Sequence, residues 1–189
     1  MTKQWFPAIS REKERKELTT MTLTNLLSIN EWNDFAKDLH EKFEICCAVS
    51  DENGDHVSQY ENWCNRVCPV IKKKPEAIAA ICAVAAQHFT LETKTTQKPL
   101  ISECDIALVK VAVPIFVDNA FLGTVGACGL LPDDGEVEEF MVQKTTGLKD
   151  TEVSELVEGI ATMSETRARE FTEYTTARIA EIVSRYESK

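Results

Sequence analysis

Apolar residues recur at helical spacing just after the N-terminal region, at Trp32, Phe35, Ala36, Leu39 and Phe43. Ser28 stands directly before this stretch, and Glu31 follows it by three residues, which is the spacing of a capping box. The periodicity places all five apolar side chains on one face. We therefore predict an amphipathic helix from Ser28 to Phe43 with one face on a core.

The pattern then changes to the alternation and turn signals of strands. Residues 44–49 and 56–60 predict a hairpin around the turn-forming Asn53 and Gly54, and residues 100–102, 107–117 and 121–131 predict three further strands. In the long middle strand one face is wholly apolar, while Lys110 lies on the other. This alternation predicts an antiparallel sheet with one buried side and one partly wet side.

Helical patterns occupy the rest of the chain. Pro75 fits the first turn of a helix over residues 76–89, and helices are predicted at 136–144, 150–163 and 164–186. The expected fold class is therefore α+β, an antiparallel sheet flanked by helices, with N- and C-terminal helices. Residues 1–23 are polar and predict a solvated arm, and residues 24–189 predict one domain. The apolar stripe of the last helix is also compatible with a homodimer.

Composition removes several classes of function. A formal charge of −10 disfavours binding to nucleic acid. Lys110 and Pro114 interrupt the longest apolar stretch, so no membrane span is expected, and the N-terminus lacks the apolar core of a secretory signal. We expect a cytoplasmic protein without membrane or nucleic-acid partners. Neither a Ser/His/Asp arrangement nor a glycine-rich phosphate loop stands out, so an enzyme is not expected.

Seven cysteines in such a protein call for an explanation other than structural disulfides, which are rare in the cytosol. Four of them, Cys64, Cys68, Cys82 and Cys104, follow the spacing C-x3-C-x13-C-x21-C. Four thiolates suit an iron–sulfur cluster or Zn²⁺, and the irregular spacing favours a 4Fe–4S cluster over zinc. The simpler alternative is that these are small core residues, which is the preferred interpretation for Cys46, Cys47 and Cys128.

A set of motifs resembles the PocR-type sensory domain, a ligand-binding module with a PAS-like fold. These are Cys68 and Cys82 around the start of an Ala-rich helix, Cys104-x-x-Ala-Leu leading into Ala112-Val-Pro-Ile, and Leu122-Gly123 after a turn. The resemblance covers residues 24–185 and implies a sensor of small molecules that passes its signal to a downstream regulator. It also implies that Cys128, at the position of a ligand-facing Gly-Gln pair, lies near the ligand. Cys64 is additional to the family's cysteines.

Three hypotheses about function follow. The first is a sensor of redox state that holds an iron–sulfur cluster, or zinc, through Cys64, Cys68, Cys82 and Cys104. The second is a metal-free sensor that binds a small organic molecule in an apolar pocket over Val109, Val111 and Val113, with Cys128. The third, a thiol redox enzyme that uses Cys64 and Cys68, is weaker because the spacing is not C-x-x-C.

Overall fold

The computed structural model describes residues 21–188, which form a four-stranded antiparallel sheet with helices on both sides. The strand order is β1-β4-β3-β2, and every neighbouring pair is antiparallel. This confirms the expected fold class. The elements are, in chain order, α1 (Leu23–Leu26), α2 (Ile29–Phe43), β1 (Cys46–Asp51), α3 (Val67–Lys72), α4 (Pro75–Ala77), a π-helical turn (Ile78–Ala83), α5 (Val84–Thr96), β2 (Leu100–Glu103), β3 (Val109–Val117), β4 (Ala120–Leu130), α6 (Glu139–Thr146), α7 (Asp150–Val157) and α8 (Glu165–Glu187).

The predicted capping box starts α2. The Ser28 Oγ accepts a hydrogen bond from the Glu31 N–H at 3.3 Å, and the Glu31 carboxylate accepts one from the Ser28 N–H at 2.8 Å. These bonds satisfy backbone donors that have no partner within the helix. The five predicted apolar side chains are all buried. The helix ends where Glu44 takes a left-handed conformation, with φ of 55°.

Strands β3 and β4 form a hairpin because the residues between them tolerate positive φ. Asp118 and Asn119 have φ of 48° and 65°, as a type I′ turn requires. At the opposite end the register shifts between Val109, which pairs with Leu130, and Lys110, which pairs with Cys128. Gly129, with φ of 110°, is therefore the extra residue of a β-bulge.

Two apolar clusters are built against this framework. The first packs one face of the sheet against α1, α2 and α8, and its largest fully buried side chains include Trp32 and Phe171. The second cluster contains side chains of α3, α4, the π-helical turn, α6 and α7. The turn before β3 contributes Ile106 and Leu108 to it. The cysteines described below lie on the side of the second cluster.

Several local predictions are wrong. Residues 56–60 form no strand; only a single bridge joins His56 to Ser50. Pro69 after Cys68 predicts that a helical turn there does not continue, yet Pro69 lies in the first turn of α3, where a missing N–H breaks no helical bond. The helix predicted to end at Phe89 continues to Thr96, and the one predicted to end at Met163 ends at Val157. The arm predicted over residues 1–23 lies mostly outside the described residues.

Across residues 21–188, no helix combines the length and the apolar character that crossing a membrane requires.

Candidate functional site: a thiol-lined face of the sheet

The sheet register places two cysteines and a lysine side by side. Cys46 on β1 pairs with Cys128 on β4, which pairs with Lys110 on β3. Paired residues in neighbouring strands share a face, so all three lie on one side of the sheet. Cys47, one residue on from Cys46, is buried in the first cluster on the other side. We call the side that carries Cys46, Cys128 and Lys110 the thiol face.

The adjacent row of this face carries only small residues. Ala48, Gly126 and Ala112 are paired across β1, β4 and β3. Ala48 and Gly126 are only half-buried. The row of small residues therefore leaves the cysteine row beside it free of bulky sheet neighbours.

Cys64 meets the thiol face through Cys46. Their sulfur atoms lie 3.0 Å apart, and the Cys64 N–H donates a hydrogen bond to the Cys46 Sγ at 3.1 Å. The Cys64 thiol also approaches the Cys128 carbonyl oxygen at 3.6 Å. Gly129 leaves the room for this contact, since a Cβ there would lie 2.7 Å from the Cys64 Sγ and 3.3 Å from the Cys46 Sγ.

The hydrogen bond between these two thiols shifts their pKa values in opposite directions. The bond from the Cys46 thiol lowers the pKa of Cys64 to about 7, against the opposing effect of burial. The same bond, together with burial and the neighbouring Cys64 and Cys128, raises the pKa of Cys46 far above its usual value. The contact therefore favours ionisation of Cys64 over ionisation of Cys46.

Asn65 joins the cysteine segment to the sheet. Its amide nitrogen donates to the Gly129 carbonyl oxygen at 2.7 Å and to the Cys68 Sγ at 3.3 Å. Its amide oxygen accepts from the Cys68 N–H at 2.8 Å. One side chain therefore fixes the start of α3 against the bulge of β4 and orients the Cys68 thiol.

Cys68, Cys82 and Cys104 pack against the second apolar cluster and are half-buried. Burial is the main cause that raises the pKa of each, and the nearby Cys128 raises all three further. Cys82 belongs to the π-helical turn, a type of irregularity frequent at functional sites.

Cys104 opens a tight turn before β3. Its N–H donates to the Leu108 carbonyl oxygen at 2.9 Å, and its carbonyl oxygen accepts from the Ala107 N–H at 2.8 Å. Backbone groups of Ile106 and Leu108 lower the pKa of the Cys104 thiol, although burial dominates and the net shift is upward. Ala107 has a left-handed φ of 61°, a conformation that glycine adopts at lower cost than alanine.

A second feature of the thiol face is its positive charge. The Lys110 ammonium lies 5.4 Å from the centroid of the Phe89 ring. Burial, followed by the charges of Lys72 and Lys110, lowers the pKa of His56. No carboxylate within residues 21–188 forms a salt bridge with Lys110 or Lys72.

The four predicted metal ligands do not lie together in one group. Cys68, Cys82 and Cys104 share the helical side, whereas Cys64 pairs with Cys46. In the described part of the chain, no three His, Cys, Asp or Glu groups are arranged to hold a metal ion together. The iron–sulfur or zinc centre remains a prediction.

The predicted pocket residues lie on both sides of the sheet. Cys128 is on the thiol face. Val109, Val111 and Val113 are buried to 5%, 0% and 1% exposure in the first cluster, under α2 and α8. Their role in binding a ligand remains a prediction, and only Val113 borders an open groove, which runs between β3 and α8.

Comparison with protein-family models gives one match, to the sensory domain found in PocR, over residues 25–186. This chain belongs to the PocR sensory-domain family. The match covers nearly the whole chain and confirms the resemblance inferred from the cysteine and Ala-Val-Pro-Ile motifs. Neither the curated proteins nor the solved structures contain a significant match. A PocR domain is a sensor, so the thiol face is interpreted below as the place where a signal is received.

Sequence reasoning missed three parts of this PocR domain's site. The sequence predicts Cys46 in the core, but its sulfur lies 3.0 Å from that of Cys64. The sequence gives no role to Asn65 or Gly129, because an isolated Asn or Gly carries no signal without the register that brings β4 beside residue 65. The one available clue was the adjacency of Cys46 and Cys47, which requires one of them to face away from the core.

Proposed function

We propose that this chain is a sensory module that binds a small organic anion, such as a carboxylic acid, on the thiol face and reports it to a partner protein. The observation that supports this proposal is Lys110, a half-buried cation in the middle of a sheet. Among the described residues it has an aromatic neighbour, Phe89, but no ionic partner. A partly buried cation gains from an anionic ligand more than an exposed one does, because solvent screens it less.

The chemistry of the face fits a compact ligand. Small side chains at Ala48, Gly126 and Ala112 border the cysteine row, and the Phe89 ring stands over Lys110. A carboxylate would contact the Lys110 ammonium, and a short apolar tail would lie on the alanine row. Cys68, Cys82, Cys104 and Cys128 would supply polarizable walls.

A thermal-shift screen tests this proposal with short-chain carboxylates and the matching uncharged amides. A ligand at about one hundred times its dissociation constant stabilises the folded state by about 2.7 kcal/mol, which raises the melting temperature of a chain this size by about 5–10 °C. We expect a carboxylate, and not its amide, to give this shift.

Two lysine variants identify the site. Lys110→Met should abolish the shift. Lys144→Met is the matched control, because Lys144 also lies over a phenylalanine ring, that of the exposed Phe140 on α6. Equal shifts in the two variants, or shifts by amides as large as those by acids, would count against the proposal.

A second candidate is the metal centre predicted from the sequence. We infer it from Cys68, Cys82 and Cys104, whose thiols lie on the same side of the sheet and close enough to Cys128 for its charge to raise the pKa of each. Thiolates are the preferred ligands of zinc and iron–sulfur clusters. In this proposal Cys64 supplies the fourth ligand only after it leaves Cys46.

Metal analysis and a visible spectrum of protein purified without oxygen distinguish the two candidates. Iron with sulfide and a brown colour that bleaches in air would support a redox sensor. Stoichiometric zinc in a colourless sample would support a structural metal. A metal-free sample that responds to carboxylates would leave the small-molecule sensor.

A further inference from the structure

The contact between Cys46 and Cys64 is distinct from the remaining thiols. The two residues are 18 positions apart in the chain, yet their sulfur atoms approach to 3.0 Å. Both side chains are only partly buried. Cys46 is held on the edge strand β1, whereas Cys64 lies in the irregular segment between β1 and α3. The Cys46 thiol on a strand thus faces the Cys64 thiol on a segment without regular secondary structure.

We propose that Cys46 and Cys64 form an oxidation site, at which a hydroperoxide converts the two thiols into an intramolecular disulfide. The Cys64 thiolate attacks the terminal oxygen of the hydroperoxide, the O–O bond breaks, and a sulfenic acid forms on Cys64, while the leaving hydroxide or alkoxide takes a proton from solvent and departs as water or an alcohol. The Cys46 sulfur then attacks the Cys64 sulfur, the S–O bond breaks, and the leaving hydroxide takes the Cys46 proton as water. Two thiols are oxidised and one hydroperoxide is reduced.

The contact between the two sulfurs is compatible with these roles. Either sulfur can donate in it, and with the Cys46 thiol as the donor, Cys64 is the acceptor and the attacking group. The backbone N–H of Cys64 holds the Cys46 sulfur beside it at 3.1 Å, so the second thiol is already in place. A disulfide requires an approach of about 1 Å from the present distance, to about 2.05 Å.

Cys68 is a poorer partner for Cys64, although it is only four residues away. The Asn65 amide holds its thiol at 3.3 Å and its backbone N–H at 2.8 Å, so its position is set by α3 and the β4 bulge. Cys46 has no comparable side-chain contact except Cys64. The structure therefore pairs Cys64 with Cys46, whereas the sequence suggests Cys64 with Cys68. The proposal does not depend on which ligand the thiol face binds.

The test treats the reduced full-length chain with one equivalent of hydrogen peroxide, blocks the remaining thiols and maps the disulfides by mass spectrometry. Trypsin leaves residues 43–66 as one peptide with three cysteines, so a second cleavage after acidic residues is needed; it separates residues 45–51 from 62–66. We expect these two fragments to be joined, with the free-thiol count lower by two. The variant Cys47→Ala, in which Cys46 is the single cysteine of its fragment, assigns the bond.

Three variants make the result decisive. Cys46→Ser should prevent the bond and leave Cys64 as a sulfenic or sulfinic acid, and Cys64→Ser should prevent both products. Cys68→Ser should retain the bond. Circular dichroism checks that each variant is folded. A bond from Cys64 to Cys68, equal bond yields in Cys46→Ser and the parent chain, or folded parent protein that keeps all its thiols would each overturn the proposal.

Discussion

The thiols of Cys64 and Cys46 illustrate how one hydrogen bond gives two identical side chains different pKa values. Because the pKa of Cys64 is lowered to about 7, its thiolate fraction rises as the pH increases through 7. The pKa of Cys46 and that of Cys68 are raised, so these thiols stay protonated. Alkylation requires the thiolate. Near neutral pH, Cys64 is therefore expected to react fastest of these three thiols.

This difference predicts the pH dependence of alkylation. With a brief iodoacetamide pulse at several pH values from about 5.5 to 8.5, the rate at Cys64 should rise about tenfold per pH unit below its pKa and level off above it. Cys46 and Cys68 should react slowly throughout. Quantitative peptide mass spectrometry measures each site. Cys46→Ala, which removes the hydrogen-bond donor, should shift the Cys64 profile to higher pH, and a faster reaction at Cys68 than at Cys64 at pH 7 would contradict this assignment.

Ala107 is a residue in an unfavourable backbone conformation. Its φ of 61° is left-handed, where a β-carbon costs about 1–2 kcal/mol. Glycine removes that cost but gains about 0.5–1 kcal/mol of conformational entropy in the unfolded chain. We expect Ala107→Gly to raise the free energy of unfolding by about 0.5–1 kcal/mol, measured by urea denaturation.

The matched control for Ala107 is an alanine in a regular helix. Ala177 is exposed on α8, and Ala177→Gly should lower the free energy of unfolding by about 1 kcal/mol. The same substitution should thus have opposite signs at the two positions. Equal destabilisation at both would show that the turn does not strain residue 107.

At the scale of elements, side chains bond part of the open edge of the edge strand β1, beside the backbone contacts that Val57 and Ser58 make with Val49. Asn62 accepts a hydrogen bond from the Cys47 N–H at 2.9 Å and donates to the Cys47 carbonyl oxygen at 3.1 Å. Ser58 accepts from the Val49 N–H at 2.9 Å. These side chains satisfy the backbone groups that an edge strand leaves open.

Loss of Asn62 should therefore be costly. Asn62→Ala leaves the Cys47 N–H and carbonyl oxygen without these partners in a buried setting, and an unsatisfied buried group costs about 1–3 kcal/mol. We expect urea denaturation to show a loss of about 2–3 kcal/mol. Asn53→Ala, in the exposed turn after β1, is the control and should change stability by less than about 0.5 kcal/mol. Similar losses in both variants would contradict the role of Asn62.

The β4 bulge makes a separate prediction about Gly129. Gly129 and Gly147 both have positive φ, 110° and 74°, so alanine is strained at either position. Only at Gly129 would the new Cβ meet other atoms, 2.7 Å from the Cys64 Sγ, while at Gly147 nothing lies within 4 Å. Gly129→Ala should displace Cys64 from Cys46 and reduce the peroxide-induced disulfide several-fold. Gly147→Ala should lower stability by about 1 kcal/mol and leave the disulfide yield unchanged.

Local signals explain which elements the sequence could predict. Helix α2 follows from Ser28, Glu31 and an apolar stripe within one segment, and the β3–β4 hairpin follows from Asp118-Asn119. Residues 56–60 look like a strand, but they pair with β1 only at the bridge of His56 with Ser50 and through the N–H groups of Val57 and Ser58, which donate to the Val49 carbonyl oxygen. The side chains of Asn62 and Ser58 bond other backbone groups along this edge. Hydrogen bonds from side chains to the backbone of an edge strand depend on tertiary contacts, which a local sequence pattern does not show.

The site was predictable only in part, for the same reason. The cysteine spacing and the PocR resemblance point to Cys68, Cys82, Cys104 and Cys128, which the structure places on one side of the sheet, and their role in binding remains a prediction. The sequence could not show that Cys46 lies opposite Cys128 in the register, nor that Gly129 opens the space for Cys64. Residues distant in sequence meet here through the pairing of β1 with β4.

At the scale of the whole molecule, the thiol face and α8 lie on opposite sides of one sheet. The first cluster joins α8 to α2 and to the inner side of β3, and its aromatic contacts include that of Phe43 with Phe171, whose ring centroids are 5.1 Å apart. If a ligand binds on the thiol face, its effect on α8 would pass through the strands, because buried residues of α8 pack in this cluster.

This arrangement predicts a large difference between two phenylalanine variants. Phe171 on α8 is fully buried, and Phe140 on α6 is 65% exposed. Phe171→Ala removes a packed aromatic ring and should lower the free energy of unfolding by about 3–5 kcal/mol, whereas Phe140→Ala should change it by less than about 0.5 kcal/mol. Urea denaturation followed by circular dichroism measures both. A loss below about 1 kcal/mol for Phe171→Ala would mean that α8 docks loosely, and a ligand signal could then not pass from the sheet to this helix by packing alone.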